Sequence, residues 1–471
     1  MNFLVTACVL LFVHKIQCVN VKVDPLVHTD QGLVRGQKAT DGDYAYFLGI
    51  PYAKVDLENP FGPVLPHHGF GDEIFNAYDG SRNCPQPEYS FNHRFENQDL
   101  DCLILNVFTP NSASTRNPLP VLVYVHGGGF FAGSIEEYGI PNVVKEGVVV
   151  VLMNYRLGPY GFMCVDSPLA SGNQGLKDQY EALLWVKRNI AAFGGNPYNI
   201  TLGGPSAGSA SVLLHLYSPR AKLYHKIIAQ SGAGLQRIDS GDNDAIKLAE
   251  HLGLNTTDTE QAIRFLSSTS HDLVIGAVTD LVRNTPILIG NTNMEYKTYP
   301  NTADNSMARE AADIIRHFYL GDTSLTSDIQ SELGKFMTDF VFNHPIQRAI
   351  DNLVSENANP IYEYVFSYGE TGAQHSDDLI YLFENDYDTD EKKIVSQRLN
   401  KLYANFIKYG NPTPEVTELL PIKWEPVTED KRPYLDINTE LQVKSRFSNE
   451  RMAFWDLFYA IYGRYKKVAN A

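Results

Sequence analysis

Positive charge, cysteine and long apolar runs are all in short supply in this sequence, and each shortage closes off a class of protein. Lys and Arg number 39 against 55 Asp and Glu, a formal net charge of −16 with a pI near 5.3, and no basic block occurs in the 471 residues. A nucleic-acid partner requires a basic face to neutralise phosphates, so that class is excluded. Beyond the N-terminus no apolar stretch approaches the roughly 20 residues that a membrane-spanning helix needs. The C-terminal residues Lys466 to Ala471 carry neither a retention tetrapeptide nor a lipid-anchor tail, so no stable membrane anchor is expected. Metal-ligand spacing of His and Cys is missing, as is a phosphate-binding loop, and no metal and no cofactor are expected. Repeats and low-complexity tracts do not occur either.

What the N-terminus does contain is an apolar run, Phe3 to Val13, followed by His14, Lys15, Gln17 and Cys18. That is the shape of a secretory signal peptide ending near Cys18; a buried N-terminal strand is the competing reading. The expectation is therefore a signal peptide over 1–18, a single domain over 19–471, and a secreted, extracellular protein of unspecified oligomeric state. Of the five cysteines, cleavage there leaves Cys84, Cys102 and Cys164, an odd number with one thiol over. Cys84 and Cys102 lie in polar, loop-like sequence, and in an oxidising compartment they would close a loop worth about 3 kcal/mol. Cys164, in the apolar stretch Gly161 to Val165, is expected to be a small buried residue.

The composition, 44% hydrophobic and 20% charged with 35 Gly and 25 Pro, is that of a folded globular chain. Val121 to Val125 and Val148 to Met153 are continuous apolar runs, as strands buried on both faces should be. Helical spacing between Lys177 and Phe193 predicts a crossover helix before a strand at Ile200 to Leu202. Further strands are expected at Lys226 to Ala229, Ile287 to Gly290 and Ile361 to Phe366. Helices are expected at Asp244 to Leu252, Glu310 to Phe318 and Arg398 to Ile407. Asn411 to Glu440 reads as irregular, and Phe454, Trp455 and Phe458 as a helix packed on the body. Alternating strands and helices imply an α/β fold with a mostly parallel, doubly wound sheet and helices on both faces.

Gly204-Pro205-Ser206-Ala207-Gly208 follows the strand Ile200 to Leu202 and opens a helical stretch. Strand, sharp turn and helix form the context of a nucleophile elbow, which lifts a serine oxygen above the sheet. Upstream, His126-Gly127-Gly128-Gly129-Phe130 directly follows Val121 to Val125. Three glycines in a row cost chain entropy, and they make sense where amides must approach a developing oxyanion, worth about 3 kcal/mol per donor. A serine needs a base, and the base an orienting acid, in the chain order serine, acid, histidine. His317 falls in a helix and His344 precedes Pro345 in what reads as a turn. His375, in a loop after the strand Ile361 to Phe366, is the best-placed base. Glu295 follows the strand Ile287 to Gly290 by a short polar loop and is the candidate acid.

With these residues the chain resembles the type-B carboxylesterase/cholinesterase family of α/β-hydrolases, and within it the secreted insect esterases of the antennal type. The markers run in order: GIPYA from Gly49, Cys84 with Asp101-Cys102-Leu103, HGGGF with Gly133-Ser134, NYRLG from Asn154, GNQGLKDQ from Gly172, FGGNP from Phe193 and HSDDLIYLF from His375. The resemblance implies hydrolysis of carboxylic esters through an acyl-serine, with Ser206, Glu295 and His375 as triad. It also implies Gly128, Gly129 and Ala207 as oxyanion donors and a Cys84–Cys102 disulfide. Three departures stand out. Pro205 precedes the nucleophile where the family usually has an acid or Gln, the second disulfide has no cysteines, and the stretch from Ser231 to Glu295 is short. The family also holds non-catalytic adhesion members, which typically lose triad residues; this chain keeps all three.

Overall fold

The computed structural model describes residues 25–90, 93–139, 141–165, 167–233, 245–284, 305–321, 330–358, 360–369, 372–384 and 387–462. The expected signal peptide and the expected strand Ile287 to Gly290, with Glu295, lie outside them.

Seven strands build the central sheet: β1 (Gln37–Lys38), β2 (Tyr44–Pro51), β3 (Ile104–Pro110), β4 (Leu119–Val125), β5 (Val149–Met153), β6 (Gly195–Pro205) and β7 (Lys226–Gln230). Their order is β7-β6-β4-β5-β3-β2-β1. The pairs β7/β6, β6/β4 and β4/β5 are parallel, whereas β5/β3, β3/β2 and β2/β1 are antiparallel. The sheet is thus mixed, parallel only on the side that carries the serine motif. Antiparallel neighbours need no crossover helix, and none lies between Tyr44 and Pro110 among the described residues. A second sheet holds β8 (Glu363–Phe366), β9 (Pro433–Ile437) and β10 (Leu441–Ser445). β9 therefore falls inside the stretch expected to be irregular, where pairing with β8 and β10 outweighs a Pro-rich local sequence.

The helices that bear on the site are α1 (Gln174–Asn189), α2 (Ala207–Tyr217), α3 (Asn305–Leu320), α4 (His344–Ser355), α5 (Asp377–Phe383), α6 (Asp390–Tyr409) and α7 (Asn449–Tyr462). Strand periodicity explains how the sheet is covered. Val121, Val123, Val125, Val149, Val151 and Met153 pack on one face with Trp185 and Val186 of α1 and Ala210 and Val212 of α2. Leu122, Tyr124, Val150 and Leu152 pack on the other with Leu399, Leu402 and Ile407 of α6. Each such side chain contributes about 1.5–3 kcal/mol by leaving water. None of the helices among the described residues is long and apolar enough to cross a membrane.

One ion pair ties these layers together. Arg156 and Asp178 are fully buried and paired in two places, Nε to Oδ2 at 2.8 Å and Nη2 to Oδ1 at 2.7 Å. The remaining guanidinium nitrogen donates to the carbonyls of Pro60 and Gly62 at 2.9 and 2.7 Å. Such satisfaction is what makes a buried charge tolerable.

Two expectations are corrected. Cys164 is exposed rather than buried, because the short helix Gly158–Phe162 ends before it and Cys164 itself forms an isolated bridge with Ser171 at the surface. His344 sits not in a turn but at the start of α4, 2% exposed, where the chain runs on in helical conformation from the π-helical turn Asp339–Asn343.

Candidate active site

β6 runs into α2 through Ser206, whose backbone sits at φ 52° and ψ −120°. A non-glycine residue in that region is strained by about 1–3 kcal/mol and persists only where its surroundings fix it. Here the Ser206 amide donates to the Gln230 carbonyl at 2.8 Å, and Pro205, in register with Gln230, ends the strand where it needs no further ladder bond. The turn also lies directly on the end of β4. A Cβ at Gly204 or Gly208 would stand 2.4 or 2.1 Å from the Val125 carbonyl oxygen, so both positions exclude any side chain. Pro205 is therefore compatible with the elbow.

The glycine loop closes over the same turn. Gly127 packs against the Ser206 Cβ, and Gly128, at φ 102°, approaches the Ala132 carbonyl so closely that a Cβ would stand 2.0 Å from it. Ala132 donates back to the Gly128 carbonyl at 3.0 Å, and Gly133 is held by Gln86 at 2.7 Å. The Gly128 and Gly129 amides make no hydrogen bond among the described residues, and the Ala207 amide is one of the first-turn donors that a helix leaves unpaired. His126 stacks on Tyr155 at 4.3 Å and is bonded to the Gly127 carbonyl at 2.8 Å. Burial lowers its pKa to about 4, so it stays neutral and serves as a wall of the loop. Nearby, Cys84 and Cys102 form the expected disulfide, and both are buried.

His375 stands in the loop just before α5. Its ring is exposed on one side and covered on the other by Phe342, centroids 4.6 Å apart. This partial burial holds its pKa below the ordinary histidine value, opposed by the charge of Asp378. Phe342 belongs to a π-helical turn, Asp339–Asn343, a rare form that often marks functional places. That turn is pinned at both ends. Buried Asp339 accepts from Tyr319 at 2.8 Å, from Asn343 at 2.7 Å and from Arg451 of α7, while His344 pairs with Asp456 of α7 at 2.9 Å.

Between the serine and the histidine runs a buried polar chain that the sequence did not announce. Gln230 Nε2 donates to Asp378 at 3.1 Å, and Tyr124 donates to Gln230 Oε1 at 2.7 Å. Tyr364 donates to Asp378 at 3.0 Å and meets Tyr403 at 3.0 Å. A cavity of about 1040 Å³ opens between β7 and β8, lined by Ser231, Gly232, Phe342 and His375 among others. Gly232 abuts Ser206, since a Cβ there would stand 2.4 Å from the Ser206 carbonyl oxygen. Ser206, Gly128, Gly129 and Ala207 are thus brought together in one turn and the loop over it, His375 lines the cavity, and no hydrogen bond joins Ser206 to His375 among the described residues.

The pattern of the carboxylesterase family matches residues 23–311 and 288–455. The chain belongs to the carboxylesterase family. Among its relatives, pyrethroid hydrolase Ces2a of Mus musculus is 30% identical over 92% of this chain and 91% of its own length. Esterase FE4 of Myzus persicae is 26% identical over 95% and 94%, and bile salt-activated lipase of Rattus norvegicus 29% identical over 91% and 84%. This carboxylesterase is a carboxylic-ester hydrolase with an α/β-hydrolase fold that acts on small-molecule esters.

Proposed function

We propose that the chain hydrolyses uncharged esters of small to medium size through an acyl-Ser206 intermediate. His375 takes the hydroxyl proton as Ser206 Oγ attacks the carbonyl carbon, and the amides of Gly128, Gly129 and Ala207 receive the oxyanion. The intermediate collapses, the alkoxide leaves with the proton held by His375, and water enters by the same base to release the acid. The observation that carries this reading is the strained Ser206 backbone locked between β4, β7 and the glycine loop.

Glu295 is proposed as the acid that orients His375. The edges of β7 and β8 that flank the cavity pair with no strand among the described residues. The run Ile287 to Gly290 has the composition of a strand buried on both faces. Glu295 follows that run by a short polar loop and takes the acid's place in the chain order serine, acid, histidine. One domain over 19–471, behind a secretory signal at 1–18, belongs to the same proposal.

The preference for uncharged esters rests on the loop closed by Cys84 and Cys102. A quaternary ammonium needs an open aromatic face, worth up to about 2 kcal/mol when desolvated. Phe95 is buried, Tyr89 already carries Arg94 over its ring at 5.6 Å, and Arg94 is itself held by Glu88 and Glu96, while Phe91, the third aromatic residue of the loop, lies outside the described residues. No tryptophan lies in the loop.

Intact mass after treatment with a fluorophosphonate tests the chemistry. One adduct that maps to Ser206, with hydrolysis of an aryl acetate lost in Ser206→Ala, is expected; a folded wild type that stays unlabelled would overturn the proposal. In the same preparation, butyrylcholine should be no better a substrate by kcat/KM than its neutral isostere 3,3-dimethylbutyl butyrate, and a tenfold advantage for choline would reverse the substrate assignment.

A further inference from the structure

We propose that Gln230 is a positioning residue that couples the nucleophile to the base, its main chain holding Ser206 and its side chain holding the helix turn that follows His375. The proposal rests on the assignment of Ser206 and His375 given above.

The geometry is unusual in using both ends of one residue. The Gln230 carbonyl accepts the Ser206 amide at 2.8 Å, which fixes the elbow from the side of β7. Its amide nitrogen reaches Asp378 at 3.1 Å, in the first turn of α5, and its amide oxygen is taken by Tyr124 at 2.7 Å. Gln230 is 1% exposed and Asp378 5%, so neither exchanges these partners for water. α5 is short, and Ser376, which links it to His375, is itself in the left-handed region at φ 72°. A movement of Asp378 therefore moves His375 with little slack between them.

Charge adds a second link. Asp378 is buried, which pushes its pKa up, and the bonds from Gln230 and Tyr364 act against that by favouring the carboxylate. Tyr124, Tyr138, Tyr364 and Tyr403 surround it, each held far above its ordinary pKa by burial and therefore neutral in the working range. Among the described residues, Asp378 is the charged group that acts on His375; the cover from the π-helical turn is the uncharged Phe342. The carboxylate raises the imidazole pKa against the effect of burial. Removal of the Gln230 donor leaves Asp378 more readily protonated, withdraws that negative charge, and lets the His375 pKa fall.

The test compares wild type with Gln230→Met, Asp378→Asn and the double variant, following kcat, KM and the acid limb of kcat/KM on a neutral ester. Gln230→Met should lower kcat on the order of tenfold, the scale of small misplacements at a reacting centre, with KM nearly unchanged. Its acid limb should move to lower pH. Asp378→Asn keeps the shape and the hydrogen-bond acceptor, so it should fold and show the same shift, and the double variant should shift no further. An acid limb and kcat at wild-type values in Gln230→Met, with His375→Gln inactive, would overturn this proposal and leave the base assignment standing. Activity retained by His375→Gln would overturn both. Should Gln230→Met not fold, an unshifted acid limb in Asp378→Asn overturns the coupling on its own.

Discussion

Ser206 and His375, the proposed nucleophile and base, are held by different means. On the side of Ser206 almost every constraint is main chain. The elbow is pinned by a strand carbonyl, the glycine loop by its own backbone turn, and the excluded side chains at Gly204, Gly208 and Gly128 by carbonyl oxygens. On the side of His375 the constraints are side chains: Phe342 over the ring, Gln230 and Tyr364 on Asp378, Arg451 and Asp456 holding the turn that carries Phe342. Backbone constraints do not depend on solution conditions, whereas the second set is made of titratable and rotatable groups. Damage to the first side should be read in folding, and damage to the second in the pH dependence of the rate.

The sharpest break of that contrast is Gly208→Ala. Its Cβ would stand 2.1 Å from the Val125 carbonyl and 2.9 Å from that of His126, backbone that cannot swing aside. Loss of soluble, cooperatively melting protein is expected, together with loss of fluorophosphonate labelling; a folded Gly208→Ala enzyme with a wild-type Tm would show that the elbow is looser than described.

Arg156→Met comes next. It leaves Asp178 fully buried without its partner and should cost about 3–5 kcal/mol in denaturant titration, while the folded fraction keeps the wild-type acid limb. A displaced limb would mean that the two sides are not separable in this way. Smallest is Phe342→Ala. With its cover removed, the His375 pKa should rise toward the ordinary value of roughly 6.5. With the neutral imidazole as the proposed base, the rate should then fall most at acid pH and little above neutrality. Tm should change less than in Arg156→Met. A Phe342→Leu variant should restore most of the acid activity, and an unchanged pH profile in Phe342→Ala would remove the ring from any role at the base.

The same contrast explains what the sequence allowed to be read. Gly128, Gly129 and Gly204 to Gly208 do their work through backbone, where one residue type suffices, so short local patterns reported them. Val121 to Val125 and Val148 to Met153 were legible for a similar reason, since burial on both faces leaves a continuous apolar run. Gln230 and Asp378 are separated by 148 positions, and nothing local distinguishes a Gln at the end of an apolar strand from any other. Phe342 and Arg451 were invisible for the same reason. The antiparallel half of the sheet was missed because β2 and β3 carry the same apolar character as parallel strands, and pairing direction is set by the connection rather than by the strand. Cys164 was misjudged because apolar neighbours in sequence do not make a residue part of the core.

The buried guanidinium of Arg156 also bears on the order in which the chain assembles. Its acceptors lie 96, 94 and 22 positions away, at Pro60, Gly62 and Asp178. No one segment can satisfy it, and a charge half satisfied out of water is worse than one left in it. The three stretches are therefore expected to close over Arg156 together rather than one by one. This favours slow, all-or-none folding of the part that presents Ser206, because contacts of such long range are formed only after most of the chain's freedom has been lost.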